Sequence, residues 1–184
     1  MTYSKFICAV ACVLGLGFIP KSIQPDPAIK IERQGFHNLY KVSNELYRSE
    51  QPDRSGMQEL EKLGVASVLN LRNRVDDHKR ARNTSLVLMR VRINAWTMYY
   101  EDVLQSLKLF QSAKKPVLVH CLHGSDRTGV VIAAYRMVYQ DWSREDAIKE
   151  FTEKQFGYHK DWFPRLLDLL ENLDVARLKQ DLKK

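Results

Sequence analysis

The stretch from Pro116 to Tyr139 constrains this chain more than any other. It opens as PVLVHCLHGSDRT (116–128) and runs on as GVVIAAYRMVY (129–139). Val117, Leu118, Val119 and the stem of His120, bounded by Pro116 and a glycine-containing loop, read as a short buried strand. The eleven residues that follow are apolar on nearly every side, the mark of a buried helix. A buried strand feeding a buried helix through a tight loop is an α/β arrangement. Such a loop aims backbone N–H groups inward, where the helix dipole adds partial positive charge. The expectation is an anion cradle formed by Leu122, His123, Gly124, Ser125, Asp126 and Arg127.

Two side chains give that cradle chemistry. The helix terminus and a guanidinium both favour the thiolate of Cys121, the form of a cysteine that attacks. Arg127, planar and permanently charged, suits two phosphoryl oxygens at once. Thr128 stands where it can hydrogen-bond the sulfur and help it leave. A lone buried cysteine is ordinarily a small hydrophobe and a lone arginine a solvated surface group. Here His120, Cys121, Arg127 and Thr128 match together, with five residues between Cys121 and Arg127, and in that respect the chain resembles the cysteine-dependent protein tyrosine phosphatases. The resemblance implies a cysteinyl-phosphate intermediate that water hydrolyses. His120, before the nucleophile at a strand end, is expected to orient the loop rather than transfer protons.

The chain has 184 residues, 45% hydrophobic and 28% charged, with a formal charge of +7. That suits one globular domain with an anionic partner: a phosphorylated protein, another phosphoester or a membrane surface. Nucleic acid is not expected, since no recognition motif is present and the basic residues are scattered. Residues 6–19 (FICAVACVLGLGFI) form an apolar run behind Lys5, too short for a standard span and the right length for a signal-peptide core. Residues 1–20 are therefore expected to be a signal peptide or N-terminal membrane anchor that takes the protein to the periplasm. Residues 21–34 are expected to be a linker, and 35–184 the phosphatase domain. Two of the three cysteines lie in the apolar run, so a cleaved protein keeps Cys121 alone and forms no internal disulfide.

Along the domain the pattern predicts short strands over 36–42 and 46–48. A helix from Asp53 or Ser55 to Leu63, stopped by Gly64, follows, and then strands over 65–71 and 86–93. The charged segment 72–83 reads as a solvated loop or helix. The aromatic loop 94–100 is expected to border the catalytic mouth. Asp102 and Gln105 read as an N-cap and N3 pair opening a helix over 103–113. Ser143 caps a helix over 144–154 that Gly157 breaks. A last helical region from Asp161 places Trp162, Leu166, Leu169, Leu170 and Leu173 on a core face, and the Lys-rich end is expected to fray. No Cys/His spacing suggests a metal, and no cofactor is implied.

From residue 36 onward the chain resembles the small exported dual-specificity-like tyrosine phosphatases of Gram-negative bacteria. The matching features are LYRSEQP (46–52), Asn70-Leu71-Arg72, PVLVHCLHGSDRTG, the pair Tyr135 and Arg136, and the aromatic run over 155–162. The fold implied is a central, mostly parallel sheet of four or five strands with helices on both faces. The activity implied is hydrolysis of phosphotyrosine, with phosphoserine and phosphothreonine as further substrates, by a monomer. The chain departs from the family in its general acid. Relatives supply an aspartate upstream of the cysteine, whereas between Ile93 and His120 the only carboxylates are Glu101 and Asp102. Asp126 is a third candidate, in an arrangement similar to that of the myotubularin-type phosphoinositide phosphatases. Two alternatives stand beside the main reading: an inositol-phosphate or phosphoinositide phosphatase, and a phosphate-binding module without turnover.

Overall fold

The computed structural model describes residues 26–184, so the apolar run expected to direct export lies outside them. Among the described residues no helix is long and apolar enough to cross a membrane. Six strands form one sheet: β1 (Ile29–Lys30), β2 (Tyr40–Lys41), β3 (Leu46–Ser49), β4 (Ser67–Arg72), β5 (Val87–Ile93) and β6 (Val117–His120). Their spatial order is β1-β2-β3-β6-β4-β5. The last four in that order pair in parallel, and β1 and β2 add an antiparallel edge. The mostly parallel sheet is as expected, with six strands rather than four or five. The sixth comes from the segment expected to be a linker: Ile29 and Lys30 pair with β2, and the Ala28 N–H donates to Glu150 at 3.3 Å.

Among the described residues six α-helices accompany the sheet: α1 (Arg54–Lys62), α2 (Tyr100–Ser112), α3 (Asp126–Tyr139), α4 (Arg144–Thr152), α5 (Arg165–Glu171) and α6 (Val175–Asp181). Side-chain alternation decides which face each strand residue serves. Leu118 of β6, Val68 of β4 and Tyr47 of β3 point to the α1 side, where Met57 and Leu60 meet them. Val117, Val119, Leu69, Leu71 and Leu46 point to the other side, against α2 to α6. Parallel strands buried on both faces have no polar alternation, which is why β6 reads as a continuous apolar run. β6 lies between β3 and β4, in register with both from Val117 to His120. Its carboxyl end therefore opens at the middle of the sheet, where open α/β sheets place ligands.

Several helix boundaries follow the expected chemistry. Asp53 caps α1 by accepting from the Gly56 N–H at 2.7 Å, and Gly64 ends it with φ 86. Ser143 caps α4 through the Asp146 N–H at 3.0 Å. Others differ. α2 begins at Tyr100, so Asp102 is an N3 residue reaching back to the Tyr99 N–H at 2.9 Å, not the N-cap. The C-terminal region is two helices, and Leu178 and Leu182 are buried in the main core, so the Lys-rich end is packed rather than frayed. Trp162, placed by helical spacing on a core face, is 59% exposed, because α5 starts three residues later at Arg165.

Candidate active site

Cys121 follows the last residue of β6, is fully buried and is a free thiol. α3 starts at Asp126, three residues before the glycine at which apolar periodicity begins. Asp126, Arg127 and Thr128 thus occupy the first helical turn, whose N–H groups have no partner within the helix. The loop before it is fixed from outside through its carbonyls. The Gln51 N–H donates to Leu122 O at 3.1 Å, Asn38 Nδ2 to His123 O at 2.8 Å, and Arg48 Nη2 to Gly124 O at 2.9 Å. Gly124 has φ +73, and a Cβ there would sit 2.4 Å from the Ser49 carbonyl carbon. Only glycine allows the loop to lie this close to the end of β3.

Arg48 lies on β3, within the LYRSEQP stretch. It is 1% exposed, its guanidinium 4.2 Å from the centre of the Phe156 ring. Burial lowers its pKa to about 10, against the attraction of Glu150 and of Cys121. Phe156, which covers it, lies over a hundred residues away in sequence.

Arg127 is half-buried and donates from Nη1 to Ile93 O at 3.2 Å. Its Nε and the Thr128 hydroxyl are buried without a partner among the described residues. Arg127 also lines a cleft of about 390 Å³ with Arg72, Asn73, Arg74, Asn94, Trp96 and Phe163, beside Ile93 and Ala95. Three guanidiniums and no carboxylate border this cleft, so its field favours an anion. Burial lowers the Arg72 pKa, and repulsion from Arg127 and Arg80 lowers it further. Trp96, 62% exposed, packs edge-on against Phe163 with ring centres 5.0 Å apart. Asn94, Ala95 and Trp96 of the aromatic loop therefore border the same cleft as Arg127.

Behind the cradle, His120 is fully buried with both ring nitrogens facing oxygens: Nε2 is 2.8 Å from Asp77 Oδ2 and Nδ1 3.0 Å from the Cys121 carbonyl. The ring is thereby held from both sides. Sequence reasoning missed Asp77, which sits in the most charged segment yet is 3% exposed. Burial pushes its carboxyl up, but hydrogen bonds from His120, Gln51 and Asn70 and the charge of His120 outweigh this and hold it below the usual range. The only available signal was the presence of a histidine that would need an anchor.

Of the acid candidates, Glu101 is exposed and Asp102 is tied to the start of α2; neither lines the cleft. Burial raises the Asp102 pKa, the Tyr99 N–H opposes this and the Glu101 charge adds to it. Asp126 is 2% exposed. Its Oδ1 accepts from the His159 N–H at 3.0 Å, and both carboxylate oxygens lie 3.1 Å from His159 Nδ1. His159 was not singled out by any sequence pattern. With His123 the two form the kind of His/Asp group that no spacing suggested, their donor atoms within 4.8 Å of one another. Both Asp126 oxygens are engaged by His159, so the arrangement reads as an Asp–His pair with His123 beside it.

Comparison with known proteins agrees with this geometry. Residues 46–167 match the family described as dual specificity phosphatase, catalytic domain. The chain is 33% identical over 126 residues to the dual specificity protein phosphatase TpbA of Pseudomonas aeruginosa, an alignment covering 67% of this chain and 57% of that enzyme. It therefore spans less than two thirds of that relative. The crystal structure of P. aeruginosa TpbA superposes with a TM-score of 0.78 at 29% identity, covering 87% of this chain and 98% of that one. A further relative is the inositol diphosphatase DSP5 of Arabidopsis thaliana, 32% identical over 160 residues, covering 79% of this chain and 74% of that protein. A buried cysteine at the end of a central strand, an arginine in the first turn of the following helix and the matched sequence all agree: the chain belongs to the dual specificity phosphatase catalytic-domain family.

Proposed function

We propose that this chain hydrolyses phosphotyrosine in proteins through a cysteinyl-phosphate intermediate. The observation that carries the reading is the cradle: a buried Cys121 beneath a helix first turn whose Arg127 Nε and Thr128 Oγ1 have no protein partner among the described residues. In this reading the Cys121 thiolate attacks phosphorus, and Arg127 and the loop N–H groups hold the phosphoryl oxygens as charge spreads over them. Thr128 then hydrogen-bonds the departing sulfur. The aromatic walls Trp96 and Phe163 suit a flat aryl ring above the phosphate. A crystal structure of TpbA in complex with phosphotyrosine supports the same choice. The apolar run at 6–19 supports action in the periplasm or at the membrane facing it, and the chain is taken to act as a monomer.

A second reading, an inositol-phosphate phosphatase, is favoured by one observation: Arg72 and Arg74 join Arg127 along the cleft, more positive charge than one phosphate needs. Assaying the purified protein side by side on phosphotyrosine peptide, inositol phosphates and inositol diphosphates separates the two. The expected result is a higher kcat/KM on the peptide, with at least a thousandfold loss in Cys121→Ser on every substrate. Turnover retained in Cys121→Ser would overturn the covalent mechanism; preference for the inositol compounds would move the substrate assignment to the second reading.

A further inference from the structure

The cleft poses a chemical problem. Expelling a tyrosyl oxygen as the bare phenolate is slow, and a positioned proton donor is worth on the order of 10²–10⁴-fold. No carboxylate lines the cleft; the polar groups that do are arginines and asparagines. Asn94 stands at the head of the aromatic loop, but an amide has no proton to give at neutral pH, and its side-chain oxygen accepts from the Trp96 N–H at 3.1 Å. Asp126 is in the loop, yet it is buried, and both its oxygens are engaged by His159.

His159 lies beside the cleft rather than in its lining, but unlike Glu101 and Asp102 it is bonded to a residue of the cradle itself, Asp126. Its Nδ1 is held by the Asp126 carboxylate, which leaves Nε2 as the unoccupied nitrogen, and the residue is about one third exposed rather than sealed in the core. A carboxylate on one imidazole nitrogen fixes the orientation of the ring, the arrangement found where a histidine serves as an acid–base group. The segment carrying it lies on the rim of the cradle. A Cβ on Gly157 would come 3.2 Å from Ser125 Oγ, and the His159 ring is 5.1 Å from that of His123 in the loop. Its other side stacks on Trp162 at 5.4 Å, and Trp162 in turn meets Phe163, a wall of the cleft. In-line displacement puts the leaving oxygen opposite the Cys121 sulfur, on the open side of the cradle.

We infer that the Asp126–His159 pair is the proton donor of this enzyme, with His159 as the catalytic residue and Asp126 as the group that positions it. The inference rests on the phosphatase reading. In the first step the Cys121 sulfur forms the S–P bond as the P–O bond to the leaving group breaks, and the proton on His159 Nε2 passes to the leaving oxygen, giving a neutral alcohol. In the second step the neutral imidazole takes a proton from water as its oxygen forms the new P–O bond. The S–P bond breaks, the thiolate returns and inorganic phosphate departs. Protons and electron pairs balance over the cycle without a metal or other co-reactant.

Leaving-group dependence tests this without relying on total activity. 2,4-Dinitrophenyl phosphate carries a leaving group that departs unprotonated, whereas phosphotyrosine peptide does not. In His159→Gln, kcat/KM on the peptide is expected to fall about a hundredfold or more, and on dinitrophenyl phosphate by less than roughly threefold. Asp126→Asn is expected to show the same selectivity, and Asp102→Asn and Glu101→Gln none. Retained turnover of the activated ester shows that the fold and Cys121 are intact in each variant. Equal slowing of both substrates in His159→Gln, or a selective defect in Asp102→Asn, would overturn the inference while leaving the phosphatase reading in place. Failure of the wild type to turn over either ester would instead remove the phosphatase reading.

Discussion

The phosphate cradle and the rim beside it are built in opposite ways. The cradle is one contiguous run, His120 to Thr128, braced by two groups that are almost wholly buried: Arg48, which donates to Gly124 O, and Asp77, which bonds His120. The rim side is assembled from segments far apart in sequence, Trp96 from one loop and His159, Trp162 and Phe163 from another, and its tryptophans are 62% and 59% exposed. The difference follows from what each must do. A cradle that stabilises developing charge works only if its dipoles are already in place, so it needs rigid support. A rim that admits different phosphorylated surfaces has no such need and sits on loops.

If the cradle depends on buried support, breaking that support should cost more than any change at the rim. Arg136 on α3 donates to both carboxylate oxygens of Glu150 on α4, at 2.9 and 2.6 Å, and also to Val42 O at 3.2 Å. It lies 4.1 Å from the centre of the Trp142 ring and is fully buried. Removing one partner of such a pair strands the other as an unpaired buried charge, a cost of about 3–5 kcal/mol. Glu150→Ala is expected to lose that much stability in urea unfolding, and Trp162→Ala less than about 1 kcal/mol. Comparable losses for the two would end the contrast between a rigid cradle and a tolerant rim.

The next effect sharpens the cradle side alone. A lysine at 127 keeps the charge but not the planar fork that holds two phosphoryl oxygens, nor both the bond to Ile93 O and a second, inward-facing Nε. Arg127→Lys is expected to lower kcat/KM by at least tenfold on every substrate, roughly 1.4 kcal/mol or more of transition-state stabilisation. Because this loss precedes any question of leaving group, it should be equal for activated and unactivated esters. Smaller losses would mean that charge alone, not the fork, holds the phosphoryl group.

The same division explains what the sequence disclosed. The strand, loop and helix around Cys121 are encoded by local patterns: apolar continuity, a glycine where φ is positive and first-turn residues that signal the cradle. The caps at Asp53 and Ser143 are equally local, each a side chain bonding an N–H three residues on. What stayed hidden depends on contacts over long separations. His159 reaches Asp126 across 33 residues and Asp77 reaches His120 across 43; no periodicity announces either. Arg48 is covered by Phe156, more than a hundred residues further on, and Trp162 looked buried because helical spacing was carried through residues that do not become helical until Arg165. Local chemistry was legible, and the partners that complete it were not.

Asp77 offers the smallest and most specific test of that conclusion. It comes from the segment richest in charge, where a solvated carboxylate is the ordinary outcome, yet it bonds His120 directly behind the nucleophile. Its pKa in the folded protein lies below the ordinary carboxylate value: burial raises it, and the bonds and charge of His120 with the amides of Gln51 and Asn70 lower it by more. A depressed folded-state value means that the ionised group stabilises the fold above its unfolded pKa of about 3.9 and that this stability disappears as pH falls through the lower, folded value. Asp77→Asn keeps an acceptor for His120 but loses the charge, so at pH 7 it should cost about 1 kcal/mol. Chemical unfolding of both proteins from pH 7 down to 3 should show the gap between them narrowing in the acid range. A gap that stays constant would mean that Asp77 contributes packing and a neutral hydrogen bond. A gap that widens would mean that the carboxylate is harder, not easier, to ionise in the fold, and that burial rather than His120 governs this position.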